Sequence, residues 1–68
     1  MDYNYLIMLI DENDDDWCVF TTTDYDYAID LFDRMTPPPG YNMELRETTE
    51  DVDTYVDYLV IRYNHSNF

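Results

Sequence analysis

Asp26, Asp30 and Asp33 recur at i, i+4 and i+7 within a segment of helical pattern. On a helix these spacings put three carboxylates on one face, rising by about 4.5 to 6 Å from one to the next. Two further acidic groups accompany them. One comprises Asp11, Glu12, Asp14, Asp15 and Asp16; the other comprises Glu47, Glu50, Asp51 and Asp53, with Asp57 beyond. Sixteen acids stand against three arginines and no lysine in 68 residues, a formal charge of −13. The chemistry open to such an array is pairing with cations. Carboxylates accept short charge-assisted hydrogen bonds, and arginine meets them with a two-pronged fork. On a rigid scaffold, carboxylates repeating at about 6 Å offer a basic groove a field like that of a nucleic acid strand; duplex DNA carries a charge per ~1.7 Å of axis.

The array works against the fold that carries it. Like charges at i, i+4 destabilise a helix by about 0.2–0.5 kcal/mol per pair. Asp30 and Asp33 also lie toward the end where the helix dipole disfavours anions. Solubility needs a net charge of only about 2–8 in magnitude, and −13 exceeds that. These acids therefore read as a surface for a positively charged partner: Asp14, Asp15, Asp16, Asp24, Asp26, Asp30, Asp33, Glu47, Glu50, Asp51, Asp53 and Asp57. Eight tyrosines accompany them, and Tyr25 and Tyr27 interleave directly in Asp24-Tyr25-Asp26-Tyr27. At least half of the tyrosines are expected in a small core and at its edges. Exposed ones are suited to anchor an interface, because a tyrosine ring stacks on arginine.

Other chemistries fail on residue type or spacing. Asp11-Glu12-Asn13-Asp14-Asp15-Asp16 begins like a calcium-binding EF-hand loop. Its sixth position is Asp16 where glycine is needed, and its twelfth is Thr22 where glutamate is needed. No zinc pattern and no glycine-rich phosphate loop occur; Gly40 is the only glycine. His65 falls in the expected tail. Cys18 reads as a small core or edge residue with nothing nearby to lower its pKa. No catalytic constellation, cofactor or metal site is expected.

The positioning elements follow from periodicity. Tyr3 to Ile10 reads as a strand apolar on both faces, which requires a helix on one side and a partner or aromatic residues on the other. That pattern permits a homodimer as well as a monomer. Asp11 to Asp16 reads as a turn and Trp17 to Thr22 as the second strand of an antiparallel hairpin. Thr23 or Asp24 caps a helix to about Met35, whose stripe is Ala28, Leu31, Phe32 and Met35. Thr36-Pro37-Pro38-Pro39-Gly40 ends it. Tyr41 to Thr48 alternates as a half-buried strand, with Tyr41, Met43 and Leu45 opposite Asn42, Glu44 and Arg46. Thr54 to Tyr63 has the β-branched and aromatic content of a strand, with a competing helical stripe through Val52, Tyr55, Val56 and Leu59. Residues 64–68 are expected to form a frayed tail. The fold class is α+β: a single domain over 1–68, ordered β-β-α-β-β, with one helix on a small antiparallel sheet.

The acidic balance excludes direct binding to nucleic acid or to an anionic membrane, both of which need a basic footprint. The run Tyr5 to Ile10 is too short to span a bilayer and lacks the basic flank of a signal peptide. A cytoplasmic protein is expected.

In size, charge and architecture the chain resembles small acidic inhibitors encoded by phages and other mobile elements. These include the DNA-mimicking anti-CRISPR proteins and the inhibitors of restriction enzymes and uracil-DNA glycosylase. The resemblance rests on Asp26, Asp30 and Asp33, on the cluster Asp11 to Asp16, and on the cluster Glu47 to Asp57. It implies a non-catalytic inhibitor that occupies the basic DNA- or RNA-binding channel of a host defence protein. An acidic protein-binding module or antitoxin, or a small domain adapted to high salt, are the competing expectations.

Overall fold

The run Tyr5-Leu6-Ile7-Met8 is apolar at every position because the strand that contains it is buried on both faces. The computed structural model describes residues 2–65. The elements run β1 (Asn4–Ile10), β2 (Asp16–Thr22), α1 (Tyr25–Arg34), β3 (Asn42–Thr48) and β4 (Leu59–Asn64). They form one antiparallel sheet in the order β2-β1-β3-β4, with α1 packed on β1, β2 and β3. The architecture is α+β, as expected from the sequence.

Strand alternation divides the apolar residues between two sides. Tyr5, Ile7, Met43 and Leu45 pack with Ala28 and Phe32 beneath the helix, flanked by Leu9, Phe20, Ile29, Leu31, Met35 and Ile61. Leu6 and Met8 point to the opposite side, yet are only 1% and 5% exposed. They are covered there by the chain itself, so β1 does not leave an open face for a second copy.

Local chemistry sets the boundaries. The Asp24 side chain accepts from the Tyr27 amide at 3.0 Å and caps α1. At the far end the Met35 amide donates to the Phe32 carbonyl, and the prolines prevent continuation. Gly40 then takes a left-handed conformation with φ of 86°, which brings the chain into β3. In the hairpin turn Asp14 adopts φ of 64°, a conformation aspartate tolerates better than most side chains.

Three expectations are corrected. β3 is not half-buried: Arg46 and Thr48 on its far side are buried as well. The last strand begins at Leu59, and residues 51–58 are neither strand nor helix. Side chains replace the ladder there. The Glu50 carboxylate accepts from the amides of Val56 and Asp57, and the Thr48 hydroxyl donates to the Asp57 carbonyl. These bonds satisfy the backbone without a strand partner, overriding the β propensity of the segment. Finally, Asn64 is paired within β4 opposite Met43, so it is not part of a tail; residues 66–68 lie outside the described residues.

Both edge strands carry an extra residue. Ile7 pairs with Phe20 and Met8 with Cys18, leaving Val19 as a bulge in β2. Leu45 pairs with Arg62 and Arg46 with Val60, leaving Ile61 as a bulge in β4.

Leu45 is fully buried between β1 and the helix layer. Leu45→Ala is expected to cost about 2–5 kcal/mol, enough to unfold much of so small a domain. A urea titration followed by circular dichroism checks this.

Candidate protein-binding surface

The far side of the sheet is organised by one cation. Arg46 sits at mid-strand on β3, opposite Leu6 of β1, and is 6% exposed. Its Nε and one terminal nitrogen both reach Glu44 Oε1, at 2.7 and 2.6 Å. That terminal nitrogen also donates to Asp16 Oδ2 at 3.0 Å, and the other donates to the Tyr55 hydroxyl at 2.7 Å. The guanidinium lies 4.3 Å from the ring centroid of Tyr58, which itself meets Tyr55 edge to face at 5.5 Å. Burial alone would disfavour the cation. The hydrogen bonds to Tyr55, Glu44 and Asp16 outweigh that and raise its pKa, so Arg46 stays charged. Asp16 belongs to β2, Glu44 to β3, and the two tyrosines to residues 51–58. Arg46 thus ties the hairpin and the late segment to the sheet centre.

The acids divide into those that build the scaffold and those that face outward. Asp11 Oδ1 accepts from the amides of Asn13 and Asp15, closing the hairpin turn. Asp51 Oδ1 accepts from the Asp53 amide, and Glu50 fixes Val56 and Asp57. Asp30 pairs with Arg34 at 2.6 Å, an exposed i, i+4 pair. Only Asp16, Asp30 and Glu44 pair with arginine; the other thirteen of the sixteen acids have no cationic partner among the described residues.

Among the sequence-derived candidates, Asp14, Asp15, Asp24, Asp26, Asp30, Asp33, Asp51, Asp53 and Asp57 are exposed, as are Tyr25 and Tyr27. Glu47 and Glu50 are half-buried, and Asp16 is exposed although it serves Arg46. They do not form one plane. Ile10 pairs with both Asp16 and Asn42, so the hairpin acids lie at the end of the sheet where β3 starts. Asn4 pairs with Thr48, so the second cluster leaves from the opposite end. The helix acids stand on the outer layer between these ends. The longest dimension of the molecule is 39 Å.

The tyrosines are more exposed than expected. Tyr5 alone is buried, Tyr41 and Tyr55 are half-buried, and the other five are exposed. Tyr3, Tyr5 and Tyr25 form a chain of rings, with centroids 6.5 and 5.6 Å apart. Burial, and the negative charge of the Glu47 carboxylate beside it, raise the pKa of the Tyr5 phenol. Cys18, expected inside or at an edge, is exposed on edge strand β2. Its thiol donates to the Phe20 carbonyl, and partial desolvation of the sulfur raises its pKa.

Glu44, Arg46, Tyr55 and Tyr58 were not among the sequence candidates. The signal was nonetheless present. Leu6 and Met8 require cover on the face that Glu44 and Arg46 share, so those two residues had to be buried with them. No group of three or more metal-ligating side chains with the geometry to hold an ion occurs among the described residues, and no described helix is long and apolar enough to cross a membrane. No protein-family model, curated protein or solved structure matches this chain.

Arg46→Met is expected to cost about 3–5 kcal/mol, because Glu44 is left desolvated without its cation. Adding Glu44→Gln is expected to recover part of that loss in urea titrations. Alkali supplies a second check. A phenol whose folded pKa is raised keeps its proton longer in the native state, so its contribution is intact below about pH 10 and is lost above it. Tyr5→Phe is therefore expected to flatten the fall in melting temperature between pH 9 and 11.

Proposed function

We propose that the protein is a non-catalytic inhibitor that presents nucleic-acid-like charge to a basic DNA- or RNA-binding groove of a host defence protein, in the manner of an anti-CRISPR. The observation that carries this reading is that thirteen acids have no cationic partner among the described residues, and that some of these thirteen fix the turns from which the rest project. Asp11, Glu50 and Asp51 spend their oxygens on backbone amides, which fixes the turns from which Asp14, Asp15, Asp53 and Asp57 project. A pre-ordered array avoids much of the ordering entropy that a flexible polyacid loses on binding.

Scale supports the same reading. The 39 Å length corresponds to about eleven base pairs at ~3.4 Å each. The spread of acids over both sheet ends and the helix layer suits a groove that wraps its ligand better than it suits a flat patch. Attraction between such a surface and a basic channel accelerates encounter and weakens as salt rises. Exposed Tyr25 and Tyr27, each beside an aspartate at the start of α1, supply contact area on which arginines of the groove stack. Inhibition on this account is stoichiometric occupancy, and no bond is made or broken.

The test uses purified CRISPR effector complexes in a target-DNA gel-shift assay. The protein is expected to abolish DNA binding at about one equivalent and to be displaced by excess DNA. A chain that binds these effectors without affecting DNA, or that unfolds below about 0.1 M salt, overturns the reading. Asp26→Lys with Asp33→Lys alters two exposed acids that lack ion-pair partners. This variant is expected to keep its melting temperature while losing at least about tenfold in potency, since each charge-assisted contact is worth about 1.5–3 kcal/mol.

A further inference from the structure

Two recesses meet at Tyr58. One is polar, about 340 Å³, and contains the Arg46 cluster with Asp14, Asp16 and Glu44. The other, about 240 Å³, is lined by Tyr3, Glu47, Thr48, Thr49, Asp57, Tyr58 and Leu59 and holds no cation. Its volume is that of about eight waters, below the ~300 Å³ at which small-molecule pockets begin. It is sized for one side chain.

The walls define which side chain. Tyr3 and Leu59 present exposed apolar surface, and Tyr58, whose ring packs on Arg46, completes the wall. Glu47 and Asp57 are the two acids among the lining residues. The Glu47 carboxylate lies beside the Tyr5 phenol and has no cationic partner among the described residues, so its acceptor sites, about four on a carboxylate, are open to a cation. Asp57 is fixed through its backbone at both ends, by Glu50 on its amide and Thr48 on its carbonyl. The Asp57 backbone is therefore fixed, and its exposed carboxylate has no cationic partner among the described residues. An aliphatic stem carrying a planar cation satisfies all of these groups together. The molecule already handles its own guanidinium in this way, since Arg46 lies between two carboxylates and over the ring of Tyr58.

We infer that the recess between Tyr3, Tyr58 and Leu59 is a receptor for one arginine side chain of the protein partner, with Glu47 and Asp57 gripping its guanidinium. This deepens the proposed inhibition and rests on it for the identity of the partner, though not for the site. A second copy of this chain is the wrong occupant, because it would set one −13 surface against another.

The probe is the capped peptide Ac-Gly-Arg-Gly-NH2, titrated into the labelled protein and followed by amide chemical shifts, with lysine and citrulline peptides as controls. Saturable shifts confined to Tyr3, Glu47 to Thr49 and Asp57 to Leu59 are expected, with the arginine peptide binding tighter than the lysine one and the citrulline one inert. Asp57→Asn and Tyr3→Ala are each expected to weaken binding by about tenfold or more at unchanged melting temperature. Shifts spread over all acidic segments, equal response to citrulline, no response, or concentration-dependent self-association through Leu59 would each overturn the inference. The two proposals fail separately. Specific arginine binding with no displacement of DNA from any effector sinks the inhibitor reading alone. DNA displacement that Asp57→Asn leaves unchanged, with no arginine binding, sinks this one alone.

Discussion

The buried guanidinium of Arg46 is the interaction on which the rest of the molecule depends. A sheet with one helix covers only one of its faces, and β1 is apolar on both. The second face is closed by residues 51–58, a segment with no regular structure of its own. Arg46 draws Tyr55 and Tyr58 onto that face while holding Glu44 and Asp16 against the sheet. A single desolvated cation thereby offsets the repulsion between segments that would otherwise push apart. Among the described residues no buried side-chain nitrogen or oxygen is left without a partner, which is what makes a polar centre of this kind tolerable in so small a core.

The surplus of acid is partly an illusion of counting. Asp24 caps the helix, Asp11 and Asp51 tighten turns, and Glu50 stands in for a missing strand by accepting two amides. In a chain with one glycine, carboxylates do much of the work of turn formation. The same negative charge that stresses the fold at long range therefore stabilises it at short range, where an anion accepts strongly from an N–H donor. What remains outward projects from turns and a helix that these short-range bonds fix.

The elements and their order along the chain were legible from local signals: the apolar run of β1, alternation in β3, the Ala28-Phe32 stripe in α1 and the proline stop after it; the order of strands within the sheet was not. The segment from Thr54 to Tyr58 was not legible. Its composition favours a strand, and the outcome was decided by Glu50 and Thr48, whose side chains capture its backbone from a distance that local propensity does not register. The Arg46 cluster was missed for a related reason. Its ligands Asp16, Glu44, Tyr55 and Tyr58 are scattered along the chain, and alternation on β3 suggested a polar outer face. The acids themselves were legible as a population, but which of them serve the fold and which face solvent depends on turn geometry that spacing does not encode.

The two bulges acquire a meaning once the charge is considered. A net charge of −13 sets copies of this chain against one another, and acidification, salt or a cationic target weakens that repulsion. At that moment β2 and β4, with Val19, Leu59 and Val60 exposed, are the strands on which a fibril would template. Val19 and Ile61 interrupt both ladders and coil the margins of the sheet out of register. The extra residues thus make both edges poorer templates for strand addition when the anionic coat is neutralised.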